Sequence, residues 1–421
     1  MEPAEISVPP SAALVRDDQR TLATNASVLL AGQVLGMVAP LITVPYLARV
    51  LGPAGWGPVL MAQALANWLV MILEFAFDLS GTRAVARSRH EPDSTATVVQ
   101  AVQSAKVLLV LVTVPVALLV ALWIPTLRAS PPLIAAALCF AVGRGLSPLW
   151  YFQGLERLRG AVAIDSSTRL AAALAVFWLV RTPEHGWRVV ALQAVFSFVA
   201  LAWLTMRLVR EVALTMPSAA EGWRMIRKSS TVFACRASSG IYIQANVLIV
   251  GVIAPAAVGF FGGAERIVRA AINLLQPFNQ AFLPRISYLH RSDPHAADRV
   301  VRQGFLVMGG IGAAMSLTAV AGAPLLVRVL LGPAYGAAVP IVRLMAVLPL
   351  LVSINGVLGI FWAVPFGRER GFLAAILAAG ATNLTLAALL VPRYGPAGMA
   401  LAAVAAEIAV FCVLMTLYAR R

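Results

Sequence analysis

The chain has 421 residues, of which 60% are hydrophobic and only 12% are charged, and its mean hydropathy is +0.84. A soluble domain of this length cannot bury so much apolar surface, so the composition excludes a soluble globular protein and indicates a polytopic membrane protein. The net charge of +15 does not indicate nucleic-acid binding, because the basic residues are spread over short loops between apolar runs, as topology determinants are.

The chain begins with a polar, proline-containing stretch. Residues 1–20 lack the basic, apolar and small-residue pattern of a cleaved signal peptide, and they carry scattered charge around Pro3, Pro9 and Pro10. We therefore expect a flexible cytoplasmic tail over residues 1–20.

Twelve apolar runs follow, each about long enough to cross a bilayer, which takes about 20 residues. The longest polar connection in the middle of the chain runs from Met216 to Gly222 and divides the runs six and six. This predicts an all-α protein with an N-terminal six-helix bundle at 21–215 and a C-terminal one at 223–421. The predicted spans are 21–48, 57–83, 99–124, 132–152, 161–180, 188–208, 228–253, 256–283, 302–326, 338–363, 370–391 and 396–418.

Basic residues are distributed unequally between the two sets of alternate loops. One set holds 21 Lys and Arg residues, including Lys106, and the opposite set holds six. The excess marks the cytoplasmic side, so both termini are expected in the cytoplasm. Six spans per half then make the halves parallel repeats, related by a pseudo-twofold axis along the membrane normal around a central cavity.

A polar stripe interrupts the apolar run from Glu265 to Arg285. Read as one continuous helix, residues 265, 269, 273, 276 and 280 fall within an arc of about 80°. A similar stripe occurs 202 residues earlier, and the same offset relates Pro53 to Pro255 and Gly57 to Gly259. We interpret this as an internal duplication of one helix and its flanks.

Ionisable side chains inside the spans are the most informative residues, because each would cost about 2.5–3.5 kcal/mol at the bilayer centre if it faced lipid. They are expected to face one another or a wet cavity. These residues are Glu74, Asp78, Arg144, Asp165, Arg169, Arg236, Glu265, Arg266, Arg269, Arg343 and Glu407.

Arginines predominate on the second-half stripe, and their planar guanidinium groups suit phosphate oxygens. Arg236 lies about eight residues into its span and Arg269 about thirteen, or roughly 20 Å, so both are near mid-membrane. We predict an anionic head-group site formed by Arg236, Arg266 and Arg269, with Asn273 and Arg144. The alternative is that the arginines only neutralise the neighbouring carboxylates.

Carboxylates predominate on the first-half stripe. Glu74, Asp78 and, in the second half, Glu265 are candidates for exchanging a coupling proton or sodium ion, and the alternative is that they form structural ion pairs with neighbouring arginines. The chain has no G-x-x-x-x-G-K-[ST] loop for a nucleotide. We therefore expect no resident cofactor or metal, with drive from an H+ or Na+ gradient or the membrane potential.

Four segments together resemble a known family: LAGQVLGMVAPLITVPYLARVLGPAGWG (30–57), EFAFDLSGTRAVAR (74–87), PLWYFQGLER (148–157) and LLQPFNQAFLPRIS (274–287). They are similar to the bacterial polysaccharide-biosynthesis flippases, the O-antigen and related lipid-linked oligosaccharide translocases of the multidrug/oligosaccharidyl-lipid/polysaccharide exporter superfamily.

The resemblance implies twelve helices in two bundles around a basic cavity, in the bacterial inner membrane. It also implies movement of an undecaprenyl-pyrophosphate-linked oligosaccharide from the cytoplasmic to the periplasmic leaflet, with a polysaccharide polymerase as a partner. The chain departs from the family pattern in two places. Ala76, Phe77 and Asp78 stand where Gly-Phe-Asn is frequent in the family, and Ala84 stands where an acidic residue is frequent.

Two other transport functions stay open: an ion-coupled multidrug or small-molecule antiporter of the same superfamily, and a flippase for the peptidoglycan lipid precursor. A membrane enzyme such as a polymerase or ligase would need a long external loop with convergent polar residues. The loops opposite the basic set are all about ten residues or shorter, so we expect no enzyme.

Overall fold

The computed structural model describes the backbone of residues 12–213 and 216–420, and most side chains from residue 42 onward. Of the predicted tail at 1–20, residues 1–11 lie outside the described residues, and Ala12 to Arg20 form the start of the first helix. The side chains after residue 42 that are not described are those of 235, 238, 239, 241–243, 280, 281, 291 and 294.

The described residues are almost entirely helical, as predicted. The helices of the first half are α1 (Ala12–Glu74), α2 (Phe77–Ser88), α3 (Pro92–Trp123), α4 (Pro125–Arg128), α5 (Pro131–Gly145), α6 (Leu149–Gly154), α7 (Leu158–Leu179) and α8 (Gly186–Glu211). Those of the second half are α9 (Ala219–Ile253), α10 (Val258–Asn273), α11 (Gln276–Ser292), α12 (Pro294–Leu330), α13 (Ala338–Met345), α14 (Leu348–Gly356), α15 (Glu369–Tyr394) and α16 (Pro396–Ala419). Short 3-10 turns lie at Pro183–His185, Pro255–Ala257 and Pro333–Tyr335, and a π-helical segment, Val357–Ala363, continues α14.

Nine stretches among the described residues are long and apolar enough to cross a membrane. They confirm a multi-pass membrane protein, while the number twelve stays a prediction. Of the predicted spans without such a stretch, 21–48 falls mainly where side chains are not described, and 228–253 and 256–283 correspond to α9 and to α10 with α11. The nine are Ile42–Ser88, Pro92–Trp123, Pro131–Gly154, Leu158–Leu179, Pro183–Glu211, His295–Leu330, Ala338–Ala363, Glu369–Tyr394 and Pro396–Ala419.

The polar stripe from Glu265 to Arg285 is not on one continuous helix, which corrects the interpretation above. The helix stops at Asn273 and resumes at Gln276, so α10 and α11 are separate. Pro277 explains the break, because its ring removes a backbone donor and clashes with the carbonyl of the residue four positions earlier.

The duplicated helix has a corresponding break in the first half. There α1 stops at Glu74, and Phe75 and Ala76 adopt positive φ angles of 44° and 56° before α2 begins. The two breaks differ in register, since α1 and α10 end 199 residues apart rather than 202. The 202-residue offset therefore holds at the start of the repeat but not beyond the breaks.

The two copies of the repeat pack directly against each other where they begin. Gly52 (φ 64°) kinks α1, so that residues 53–74 form a second segment of that helix. A Cβ on Gly259 would lie 2.0 Å from the carbonyl oxygen of Pro53, and one on Gly57 would lie 3.3 Å from the amide nitrogen of Gly259. Only glycine permits so close an approach of two backbones. The contact joins the first half of the chain to the second.

Candidate functional site

The charged side chains of α10 lie next to this contact between the repeats. Glu265 is buried, and the Arg269 guanidinium contacts its carboxylate at 2.5 Å, one helical turn away. Arg266 instead crosses to the first half, where it donates to Oε1 of Gln63. The guanidinium of Arg266 also lies over the ring of the fully buried Trp56, 5.2 Å from its centroid. Arg266 therefore links the two copies of the repeat by a hydrogen bond and a cation–π contact.

A second group of charges lies at the break between α1 and α2. Arg236, on α9, pairs with the Asp78 carboxylate. Glu74 is the last residue of α1 and lies within electrostatic range of Asp78, Arg144, Arg236 and Lys106. These five residues come from five different helices, so the structure brings together groups far apart in the sequence.

Arg144 extends this group towards α7. Its guanidinium pairs with Asp165, which is 7% exposed, and Arg169 approaches the other oxygen of the same carboxylate at 3.0 Å. A buried carboxylate shared by two arginines satisfies the requirement that intramembrane charges be paired.

The structure places Arg236 and Arg266 in different contacts. Arg266 bonds to Gln63, before the break between α1 and α2, and Arg236 pairs with Asp78, after it. Arg236 instead belongs with Arg144 and the acidic residues of the first half. Asn273 is exposed at the end of α10, on the same helix as Arg269.

Pairing has not removed the arginines from solvent. The side chains of Arg236 and Arg269 are 43% and 40% exposed, and that of Arg144 is 23% exposed. Charged groups within a span avoid lipid, so the predicted spans would require these exposed guanidinium groups to face a wet cavity. A guanidinium carries five N–H donors, so a single ion pair does not by itself exclude a further acceptor. The ion pairs are therefore compatible with binding an anionic group.

Sequence reasoning placed Lys106 in a cytoplasmic loop, and this was wrong. Lys106 lies inside α3, is 2% exposed, and donates from Nζ to the carbonyl oxygen of Ser147 at 2.8 Å. The predicted span 99–124 already contained this residue, so counting it with the loop residues was inconsistent with that span. A proline at the first position of a helix marks its start, and Pro92 puts Lys106 about four turns inside α3.

In the second half, Glu407 was predicted as an ionisable residue within a span, but its asparagine neighbours were missed. Nδ2 of Asn355 donates to the Glu407 carboxylate at 2.8 Å and to its backbone carbonyl at 3.0 Å. Asn383, on the neighbouring α15, is fully buried. Within the described residues, no group of three His, Cys, Asp or Glu side chains could hold a metal ion.

Sequence comparison relates the chain to proteins of polysaccharide synthesis. Residues 22–290 match a family model described as "Polysaccharide biosynthesis protein". A protein of Escherichia coli (strain K12) named "Putative O-antigen transporter" is 28% identical over 393 residues, covering 92% of this chain and 94% of the relative. A protein of the same name from Shigella dysenteriae is 25% identical over 381 residues, covering 88% of this chain and 93% of the relative.

Structural comparison shows the same fold in two groups of transporters. The lipid II flippase MurJ, in an inward closed conformation, superposes with a TM-score of 0.73 at 12% identity, covering 94% of this chain and 87% of MurJ. A multidrug resistance MATE transporter of the MOP superfamily, in an inward-facing conformation, superposes with a TM-score of 0.66 at 14% identity. The superposition covers 92% of this chain and 98% of that transporter. At these identities the likeness concerns the fold alone.

Proposed function

The chain belongs to the polysaccharide biosynthesis protein family, and from this premise we propose that it moves an undecaprenyl-pyrophosphate-linked oligosaccharide from the cytoplasmic to the periplasmic leaflet of the bacterial inner membrane. That the chain is a membrane transporter of this family, rather than an enzyme, follows from the matched proteins and the fold. The observation that carries the proposed substrate is that the arginines on α9 and α10 stay 43% and 40% exposed although each is paired with a carboxylate.

The head-group site in this proposal has two parts. Arg236 and Arg144, beside the break between α1 and α2, form one part, and Arg269 with Asn273 on α10 forms the other. Guanidinium groups bind phosphate oxygens in a bidentate manner, and their paired carboxylates offset most of their charge. Arg266 contributes to the contact between the repeats rather than to the anion site.

Transport in this proposal proceeds by alternating access. The beginnings of the repeats meet at Gly57 and Gly259, and Arg266 and Gln63 join the halves just inside this contact. Opening this contact while closing the opposite end would expose the bound head group to the other leaflet, with the polyprenyl tail remaining in lipid. Exchange of a proton or sodium ion near Glu74, Asp78 and Glu265 is the proposed means of coupling, and a polysaccharide polymerase is the proposed consumer of the product.

Complementation of a bacterial strain that lacks its own flippase tests this function. The wild-type chain is expected to restore surface polysaccharide. Arg269→Ala is expected to leave lipid-linked intermediate accumulated inside the cell. Arg299→Ala is the matched control, because Arg299 forms an exposed pair with Asp293 outside the proposed site.

Three outcomes would contradict the proposal. Normal polysaccharide with Arg269→Ala would remove this arginine from the site. Failure of the wild-type chain together with altered tolerance to cationic drugs would favour the antiporter. Rescue of peptidoglycan synthesis without restored surface polysaccharide would favour the peptidoglycan-precursor flippase.

A further inference from the structure

Lysine is nearly absent from this chain, and one of its two lysines is buried in the membrane. Of the 33 Lys and Arg residues, only Lys106 and Lys228 are lysines. Lys228 is exposed on α9, whereas Lys106 is 2% exposed in α3. Arginine does not give up its proton in proteins, but lysine does. Among the described side chains, the cation that is buried most deeply is therefore also one that can change its charge.

The Lys106 ammonium occupies the interruption between α5 and α6. The helix stops at Gly145 and resumes at Leu149, and the amide of Tyr151 bonds to the carbonyl of Pro148. The preceding carbonyl, that of Ser147, accepts the hydrogen bond from Lys106 instead. Carbonyls released by broken transmembrane helices are sites where transporters hold cations.

A second helix break places carboxylates within electrostatic range of the same ammonium. α1 ends at Glu74, where the negative end of the helix dipole adds to the carboxylate, and two non-glycine residues with positive φ follow. Such strained backbone is concentrated at functional and switch regions. The breaks also touch directly, since a Cβ on Gly145 would lie 2.5 Å from Cβ of Leu73. Lys106 therefore bonds to one of two irregular segments that are in contact, and the other supplies carboxylates within its electrostatic range.

The charged groups facing Lys106 come from each helix that packs around this part of α3. They are Glu74 on α1, Asp78 on α2, Arg144 on α5 and, through Asp78, Arg236 on α9. The neighbouring α4 touches only the far end of α3. With Asp165 and Arg169 included, the group has three carboxylates and four cations. Loss of one proton from Lys106 would balance these charges.

We infer that Lys106 carries the coupling proton of this transporter, as an ammonium held beside the two helix breaks that is released from the Ser147 carbonyl when it loses its proton. The step is the dissociation of one N–H bond, in which the ammonium becomes an amine and the proton passes to water. Uptake from one side of the membrane and release to the other would couple rearrangement of the breaks to the proton gradient. This inference deepens the proposed function and rests on it.

The test uses the full-length purified chain in proteoliposomes with a fluorescent undecaprenyl-pyrophosphate disaccharide, whose movement between leaflets is followed by chemical quenching. One proton moved per cycle across a difference of one pH unit corresponds to a tenfold ratio. We expect the wild-type leaflet distribution to shift by up to about tenfold per pH unit. Lys106→Arg keeps the charge but cannot release a proton, so it should move the lipid without this shift. Lys228→Arg is the matched control and should behave as wild type.

Lysine-selective isotope labelling gives a second measurement that does not depend on the activity of the variant. A chain with two lysines yields two side-chain signals, and Lys228→Arg assigns them. The inference requires the Lys106 signal to change charge state when the pH is varied between about 6 and 9.

The outcomes separate the inference from the proposed function. If Lys106→Arg retains the full response to the pH gradient, or if the Lys106 signal remains that of a cation throughout, the inference is overturned. Lipid movement by the wild-type chain without any response to the gradient would also overturn it while leaving the flippase function intact. Absence of lipid movement by the wild-type chain would instead contradict the proposed function.

Discussion

Gly259→Ala should open the contact between the two copies of the repeat. The added methyl carbon would lie 2.0 Å from the carbonyl oxygen of Pro53 and 2.7 Å from its carbonyl carbon. Ordinary contact of a Cβ begins at 3.4 Å, so the helices must separate by about 1.4 Å. Both obstructing atoms are backbone atoms, which cannot move aside as a flexible side chain would.

The size of the effect follows from the cost of overpacking, about 1–3 kcal/mol for an extra methyl group in a tightly packed site. A backbone obstacle places this substitution near the upper end, at about 2–3 kcal/mol. Because a change of 1.4 kcal/mol corresponds to a tenfold change in an equilibrium, the population with this contact closed should fall roughly 30- to 150-fold relative to the open one.

Cysteine accessibility measures this population. Asn67 is exposed and lies one helical turn beyond Gln63, behind the contact. In a chain whose three native cysteines are replaced by serine, Asn67→Cys should react slowly with a membrane-impermeant maleimide added on the outer face, where the charge bias puts Pro53. Adding Gly259→Ala should accelerate this reaction by one to two orders of magnitude.

Gly309→Ala provides the matched control, because a Cβ at that position of α12 would meet nothing within 4 Å. It should leave the labelling rate unchanged. An unchanged rate in a folded Gly259→Ala protein would refute the conclusion that this glycine contact closes the outer side. Equal acceleration by Gly309→Ala would show that labelling reports general loosening instead.

Three further predictions concern stability, measured by unfolding in detergent. Tyr335 is fully buried with no described partner for its hydroxyl, so Tyr335→Phe should stabilise the fold by about 1 kcal/mol or more. Burial raises the pKa of Tyr335, so its protonated form contributes stability that is lost as the pH rises above about 10. The stability advantage of Tyr335→Phe should therefore grow at alkaline pH. An advantage that does not change with pH would contradict this. Asn355→Leu removes the amide that donates twice to Glu407 and should lower the free energy of unfolding by about 2–3 kcal/mol. Glu407→Gln retains an acceptor and should lower it by less than half as much. Equal losses of stability would disprove the hydrogen-bond explanation. Asp165→Asn should lower the free energy of unfolding by about 3 kcal/mol, because two arginines lose their carboxylate. Adding Arg144→Met should lower it little further. Additive losses would show that Asp165 and Arg144 are not coupled.

The sequence was sufficient for the class of fold because apolar runs of this length have few stable alternatives in a membrane. The sequence also located the start of the repeat. The prolines and glycines that recur there at the same offset are the residues at which the two backbones meet. The break after α10 could have been read from Pro277. The break after Glu74 has no such signal, because Phe75 and Ala76 are neither proline nor glycine, yet both have positive φ.

Assignment of the charged residues failed where it depended on which helices meet. A shift of three residues at the breaks rotates a stripe by about 300°, so Gln276 is not the structural equivalent of Glu74. Arg236 lies in the second half but pairs with Asp78 of the first, because the beginning of α9 packs against α3 and α2. Periodicity within one helix contains no information about such a partner. Lys106 was missed for a simpler reason: it was counted with the loop residues although the predicted span 99–124 already contained it.

Reconstitution of the purified chain tests the central claim most directly. Proteoliposomes would contain a polyprenyl-pyrophosphate-linked oligosaccharide in one leaflet, and an impermeant glycan-modifying enzyme outside would report its arrival in the other. We expect wild-type protein to bring the lipid to the enzyme much faster than empty vesicles do, and Arg236→Ala with Arg269→Ala to abolish most of this increase. The same slow rate with wild-type protein as with empty vesicles, under conditions where that protein transports a cationic drug, would contradict the assignment as a lipid-linked oligosaccharide flippase.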